Sequence, residues 1–207
     1  MTNQATSSAS SKTAKGQFRL LDVLASMLVI GLMLAYLKQY EAQLVLTVGG
    51  GSIAAAIPIG LALGYFTGRS FDAAFWAVVI ATAACFSTIG ERIYGVGILF
   101  PFSWSAVGAV TGACCGAIPR QKLLLRIMIG GFVGWFIMWL FGFIPDMKTG
   151  DYQFDLYCAP VVGALVGLLI ELVMWVESKR YAPRYVTACW LLSAVMLGNI
   201  LVPYLVP

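Results

Sequence analysis

Seven apolar stretches follow one another along this chain, each close to the length of a bilayer-crossing helix, with only short charged turns between them. They occupy 20–37, 43–66, 73–90, 98–118, 124–144, 157–176 and 186–205. A helix needs about 20 mostly apolar residues to cross the hydrocarbon core. Lipid offers no partner for a backbone N–H or C=O, so a spanning segment must bond to itself as a helix or close into a barrel. Runs of this length suit helices, because barrel strands need only about 9–11 residues. The expected fold class is therefore all-α: a polytopic helical membrane protein with about seven transmembrane helices. The window 98–118 is the weakest, because Pro101, Ser103 and Ser105 dilute its start.

Composition agrees. Of 207 residues, 60% are hydrophobic and only 11% are charged, against about 25% charged in soluble domains. A soluble globule of this size has no interior large enough to hide that much apolar surface. An ordinary cytosolic domain is excluded. The five cysteines show no CxxC spacing, so neither a zinc site nor a redox pair is indicated. Histidine is absent, which removes the commonest metal ligand and the usual general base. There is no GxSxG, Walker A or HExxH pattern. No enzyme, cofactor or metal site is expected. The net charge of +4 does not point to nucleic acid, since the basic residues sit at helix ends.

Residues 1–17, rich in Ser, Thr, Ala and Gln, are expected to form a disordered cytoplasmic tail. Residues 18–207 then form a single helical transmembrane domain. Lys12, Lys15 and Arg19 precede the first apolar run. That run exceeds the about 7–15 residues of a signal-peptide core and has no clear A-x-A site after it, so an uncleaved first helix is expected.

Charge sets the orientation. With seven spans and the N-terminus inside, the inner segments hold Lys12, Lys15, Arg19, Arg69, Arg120, Lys122, Arg126, Lys179, Arg180 and Arg184. The outer segments hold only Lys38, Arg92 and Lys148, together with Glu41, Glu91, Asp146, Asp151 and Asp155. This is the positive-inside pattern. It places the protein in the cell membrane, with the N-terminus cytoplasmic and the C-terminus outside.

Glycine supplies an internal repeat. Gly60 and Gly64 are four apart; Gly112 and Gly116, then Gly163 and Gly167, repeat that spacing at intervals of 52 and 51 residues. Each pair precedes a charged turn (67–72, 119–126, 177–184) and a bulkier apolar run. The expected arrangement is a lone first helix followed by three parallel helical hairpins. Residues four apart share a helix face, and glycine there lets another backbone approach closely. Gly108 extends the second pair, and Gly130 and Gly134 add a face on the fifth span.

Few residues offer chemistry. Glu171 lies in the sixth span, on the order of 9 Å before its charged end. A carboxylate there must be protonated, paired or hydrated, so it is a candidate proton or cation site with Arg120 or Arg126 as partner. An ion pair with a neighbouring turn is the plainer expectation. Asn199 in the last span is a polar-lining candidate, with hydrogen bonding across helices the plainer one. Pro58 frees the carbonyl of Ala54. With Gly49, Gly50 and Gly51 upstream, it suggests either a kink or a broken helix whose backbone binds a solute. Phe132, Trp135, Phe136, Trp139 and Phe143 form an aromatic stripe suited to lipid contact or bundle packing.

Two functional expectations follow. One is a small transport or channel-type module with Glu171, Asn199 and the Pro58 region along its pathway. The other is a non-catalytic membrane subunit or scaffold that packs against partner proteins, or against its own copies, through its glycine faces. The lipid bilayer is a partner in both.

Overall fold

The computed structural model describes residues 45–89, 99–119, 122–143, 152–179 and 184–188, with single positions at 24, 27, 28, 31, 34, 35, 38, 191, 192, 194 and 195. No strand occurs among them. A π-helical segment, Val45–Gly50, runs directly into α1 (Gly51–Tyr65). There follow α2 (Ser70–Ile89), α3 (Leu99–Ala117), α4 (Leu123–Phe141) and α5 (Tyr152–Ser178). The described positions between 24 and 35 are helical, as are those between 184 and 195.

Among the described residues, four segments are long and apolar enough to cross a membrane: Leu46–Tyr65, Ser70–Thr88, Leu123–Phe141 and Leu156–Ser178. They match the second, third, fifth and sixth windows. The fourth window forms α3 but is not one of the four. Pro101 lies in its first turn, and Ser103 and Ser105 lie in its second. Most of 20–37 and 186–205, and all of 1–17, lie outside the described residues.

Local chemistry explains the joints. α1 ends in a Schellman motif: the Arg69 N–H bonds to the Gly64 carbonyl at 2.9 Å and the Gly68 N–H to the Tyr65 carbonyl at 3.2 Å. Gly68 holds a φ of 69°, which a residue without Cβ adopts at little cost. Asp72 then lies in the first turn of α2, where a negative charge suits the helix dipole. Pro119 follows the end of α3 and prevents its continuation. Helix α1 continues through Pro58, and the glycines at 49–51 stay within the continuous π-to-α turn. The broken-helix alternative is not what forms there.

Glycine and alanine set the packing. Helices α1, α2 and α3 meet through Ala56, through Ala73, Ala77 and Ala81, and through Ala109, Ala113 and Ala117. A second core joins Trp76 and Ile80 of α2, Cys115 of α3 and Val166, Ile170, Val173 and Met174 of α5, with Ala188.

The glycine faces close inside the chain. A Cβ on Gly60 would lie 2.4 Å from the Ala74 Cα, and one on Gly64 2.5 Å from the Ser70 Cα. A Cβ on Gly108, Gly112 or Gly116 would lie 2.8, 2.4 or 2.9 Å from the carbonyl oxygen of Ile80, Trp76 or Asp72. A Cβ on Gly130 or Gly134 would lie 2.2 or 2.5 Å from the carbonyl oxygen of Gly163 or Ala159, and one on Gly167 2.6 Å from that of Arg126. In each seam, four residues forward on one helix match about four back on the other, so each pair is antiparallel. The seams depart from the expected hairpin unit in one respect. Gly60 and Gly64 face the following helix, whereas the second and third glycine sets face the preceding one. The reason lies in α2, which turns Ser70, Ala73 and Ala74 to the glycines of α1 and its Asp72–Trp76–Ile80 backbone to those of α3.

Candidate functional site

The three charged turns come together at one end of the bundle, here called the turn end. Arg126, in the second turn of α4, is its centre. Its side chain is fully buried. Nε donates to the Cys115 carbonyl at 2.9 Å and Nη2 to the Ile118 carbonyl at 2.7 Å. The last carbonyls of a helix have no partner of their own, and Arg126 supplies one to the end of α3. Nη1 donates to the Glu171 Oε2 of α5 in an ion pair. One guanidinium thus fastens three helices.

The glycine seam places that pair. Arg126, Gly130, Gly134 and Met138 are the buried residues of α4 and recur every four positions. On α5, Gly163, Gly167 and Glu171 recur likewise. Gly167 brings the α5 backbone against the Arg126 carbonyl, and one turn further on Glu171 reaches the guanidinium. The Glu171 side chain keeps 16% exposure, so the carboxylate stands between a sealed cation and the edge of the bundle.

A second group adjoins the first. Arg69 donates through Nη1 to the same Ile118 carbonyl at 3.3 Å and lies 3.9 Å from Asp72. Arg184 is paired with Asp72 and, at 2.9 Å, with Glu177. Its guanidinium sits 5.9 Å from the centre of the Phe75 ring, within cation–π range. Burial alone would lower the Arg184 pKa; its bonds to Asp72 and Glu177 outweigh that and hold it above its ordinary value. These pairs keep 21–36% side-chain exposure, so each is worth about 0.2–1 kcal/mol. The sealed Arg126 pair is different: leaving either charge alone in a buried site costs about 3–5 kcal/mol.

Of the residues singled out in the sequence, the structure brings together Glu171 and Arg126. Pro58 is exposed on α1, roughly 16 Å along the chain axis from Arg69, and does not join them. Arg120 and Asn199 lie outside the described residues. Arg69 and Arg184 were legible only as charges that set orientation, and Asp72 and Glu177 only as members of the charged turns. The sequence signal for more was their mixed sign within two turns. No group of His, Cys, Asp and Glu able to hold a metal occurs among the described residues.

The aromatic stripe lies on the surface of α4, away from this site. Phe132 and Phe136 stack 6.0 Å apart, Phe136 and Trp139 6.1 Å, and Trp135 and Trp139 6.4 Å. All four keep at least 39% exposure. No protein-family model matches the chain, and neither does a curated protein or a solved structure.

Proposed function

We propose that this chain is a small transport or channel-type module in which Glu171 is the proton- or cation-accepting group. One observation carries the reading: a carboxylate inside an apolar helix is paired with a fully buried arginine where three helices meet. Ionisable groups at such depth are rare, and function is the usual reason to retain one. A proton or cation arriving at Glu171 competes with Arg126 for the same oxygen. Occupancy of the carboxylate therefore weakens a bond that ties α5 to α4, and through Arg126 to α3, by charge. On this reading the structure is a state closed at the turn end.

The finer architecture belongs to the same proposal: seven spans, a lone first helix with three hairpins, N-terminus inside and C-terminus outside. The charge bias of the turns supports the orientation, and the helical positions between 24 and 35 and between 184 and 195 support the outer spans.

A second reading, a non-catalytic subunit, is favoured by the stacked rings on α4, which offer a broad apolar surface to a partner. The glycine faces that suggested it from sequence are used within the chain. Flux into liposomes separates the two. Transport requires cation or proton flux above that of empty vesicles and its loss in Glu171→Gln. A subunit gives no flux and co-purifies with a stoichiometric partner.

A further inference from the structure

We propose that the groove between α4 and α5 holds one acyl chain of an anionic phospholipid, with its phosphate bound by Lys122. The groove has a volume of about 400 Å³ and is lined by Ile127 of α4 and Pro160, Val161, Ala164, Leu165 and Leu168 of α5. Every lining side chain is apolar. The groove exists because of the seam behind it. Gly131 follows Ile127 on the same face and has no side chain to continue the wall; a Cβ there would already lie 3.2 Å from the Pro160 carbonyl oxygen. From Pro160 to Leu168 is about 12 Å of helix, close to half of the ~30 Å hydrocarbon core. That is the depth of one leaflet, and it suits a single chain of a lipid rather than a compact solute.

Charge selects the headgroup. Each acidic side chain placed at the turn end is already paired: Asp72 with Arg184 and Arg69, Glu177 with Arg184, Glu171 with Arg126. Lys122 and Lys179 are exposed there with no acidic partner among the described residues. Lys122 immediately precedes α4, about 7.5 Å along the axis from Ile127, at the turn end of the groove. A neutral lipid gains nothing from that excess charge. A phosphate without a compensating amine does. This inference does not depend on the transport reading.

The test is native mass spectrometry of the full chain in detergent, offered phosphatidylglycerol or phosphatidylcholine with the same acyl chains. One phosphatidylglycerol should remain per chain, in at least about fivefold excess over phosphatidylcholine, as expected for one lysine beside an anionic lipid. Lys122→Glu should remove that preference. Lys38→Glu, the same charge change away from the groove, should keep it. Ala164→Phe should fill the groove and expel the lipid while the melting temperature in phosphatidylcholine stays within a few degrees. Should that variant not fold, Leu168→Ser tests the same wall without added bulk and should lower retention. Equal retention of the two lipids would overturn the proposal. So would an equal loss in Lys122→Glu and Lys38→Glu, or full retention in the wall variants.

Discussion

Replacing the two members of the buried ion pair, singly and together, tests how the turn end is held. Glu171→Leu strands the Arg126 guanidinium, which is fully buried, and should destabilise the protein by about 3–5 kcal/mol. Arg126→Met strands the carboxylate and also withdraws two hydrogen bonds from the end of α3. The Ile118 carbonyl keeps the bond from Arg69. The Cys115 carbonyl loses the one from Nε and keeps only a long bond from the Ile118 N–H at 3.4 Å, adding about 0.5–1.5 kcal/mol. Arg126→Met should therefore be the worse single variant. The double variant leaves no buried charge, so it should be more stable than the sum of the two losses predicts by at least about 2 kcal/mol. That excess separates a sealed ion pair from ordinary interhelical hydrogen bonds, whose coupling in membranes averages about 0.6 kcal/mol. The assay is reversible denaturant unfolding of the purified chain in mixed micelles, followed by circular dichroism. Losses that add to within about 0.5 kcal/mol would show two independent side chains and refute the reasoning.

Three further outcomes are expected. Gly163→Val places its Cβ about 2.1 Å from the Gly130 carbonyl oxygen, which forces α4 and α5 apart, so it should lower stability by about 1–3 kcal/mol; Gly49→Ala, with nothing within 4 Å, should not lower the melting temperature. Arg184→Gln should cost no more than about 1–2 kcal/mol, and the loss should shrink in high salt, since its pairs are partly exposed and screened. Reporters inserted in the turns 67–72, 119–126 and 177–184 should all report the cytoplasmic side, and one on the opposite side would break the proposed topology.

The helices were legible because lipid leaves the backbone so few choices: four apolar windows reappear as segments able to span. The glycine spacing revealed which faces lie close to another backbone but not which backbone. Nothing in Gly60 and Gly64 says that they face forward along the chain while Gly112 and Gly116 face back. That is decided by the alanines of α2, which are long-range partners. Glu171 was legible as an ionisable group in an apolar run, and Arg126 as one of two basic residues, with Arg120, placed to answer it. What the sequence did hold, unread, was the shared period. Arg126 is four residues before Gly130, and Glu171 four after Gly167. Each charge therefore lies on its helix's glycine stripe and must enter the seam. Arg184 and Asp72 are 112 residues apart, and no local pattern joins them.

The central claim is that Glu171 accepts a proton or cation in the course of transport. Purified chain in liposomes, with an entrapped pH dye and an imposed potassium diffusion potential, measures proton entry, and replacing pH with a cation-sensitive dye measures sodium or potassium entry in the same vesicles. The account predicts flux of at least one of these above empty liposomes, and its fall to the empty level in Glu171→Gln at equal protein content. Flux that persists in Glu171→Gln would remove the carboxylate from the pathway. Wild-type vesicles no leakier than empty ones to all three ions would contradict the transport reading and leave the subunit reading in its place.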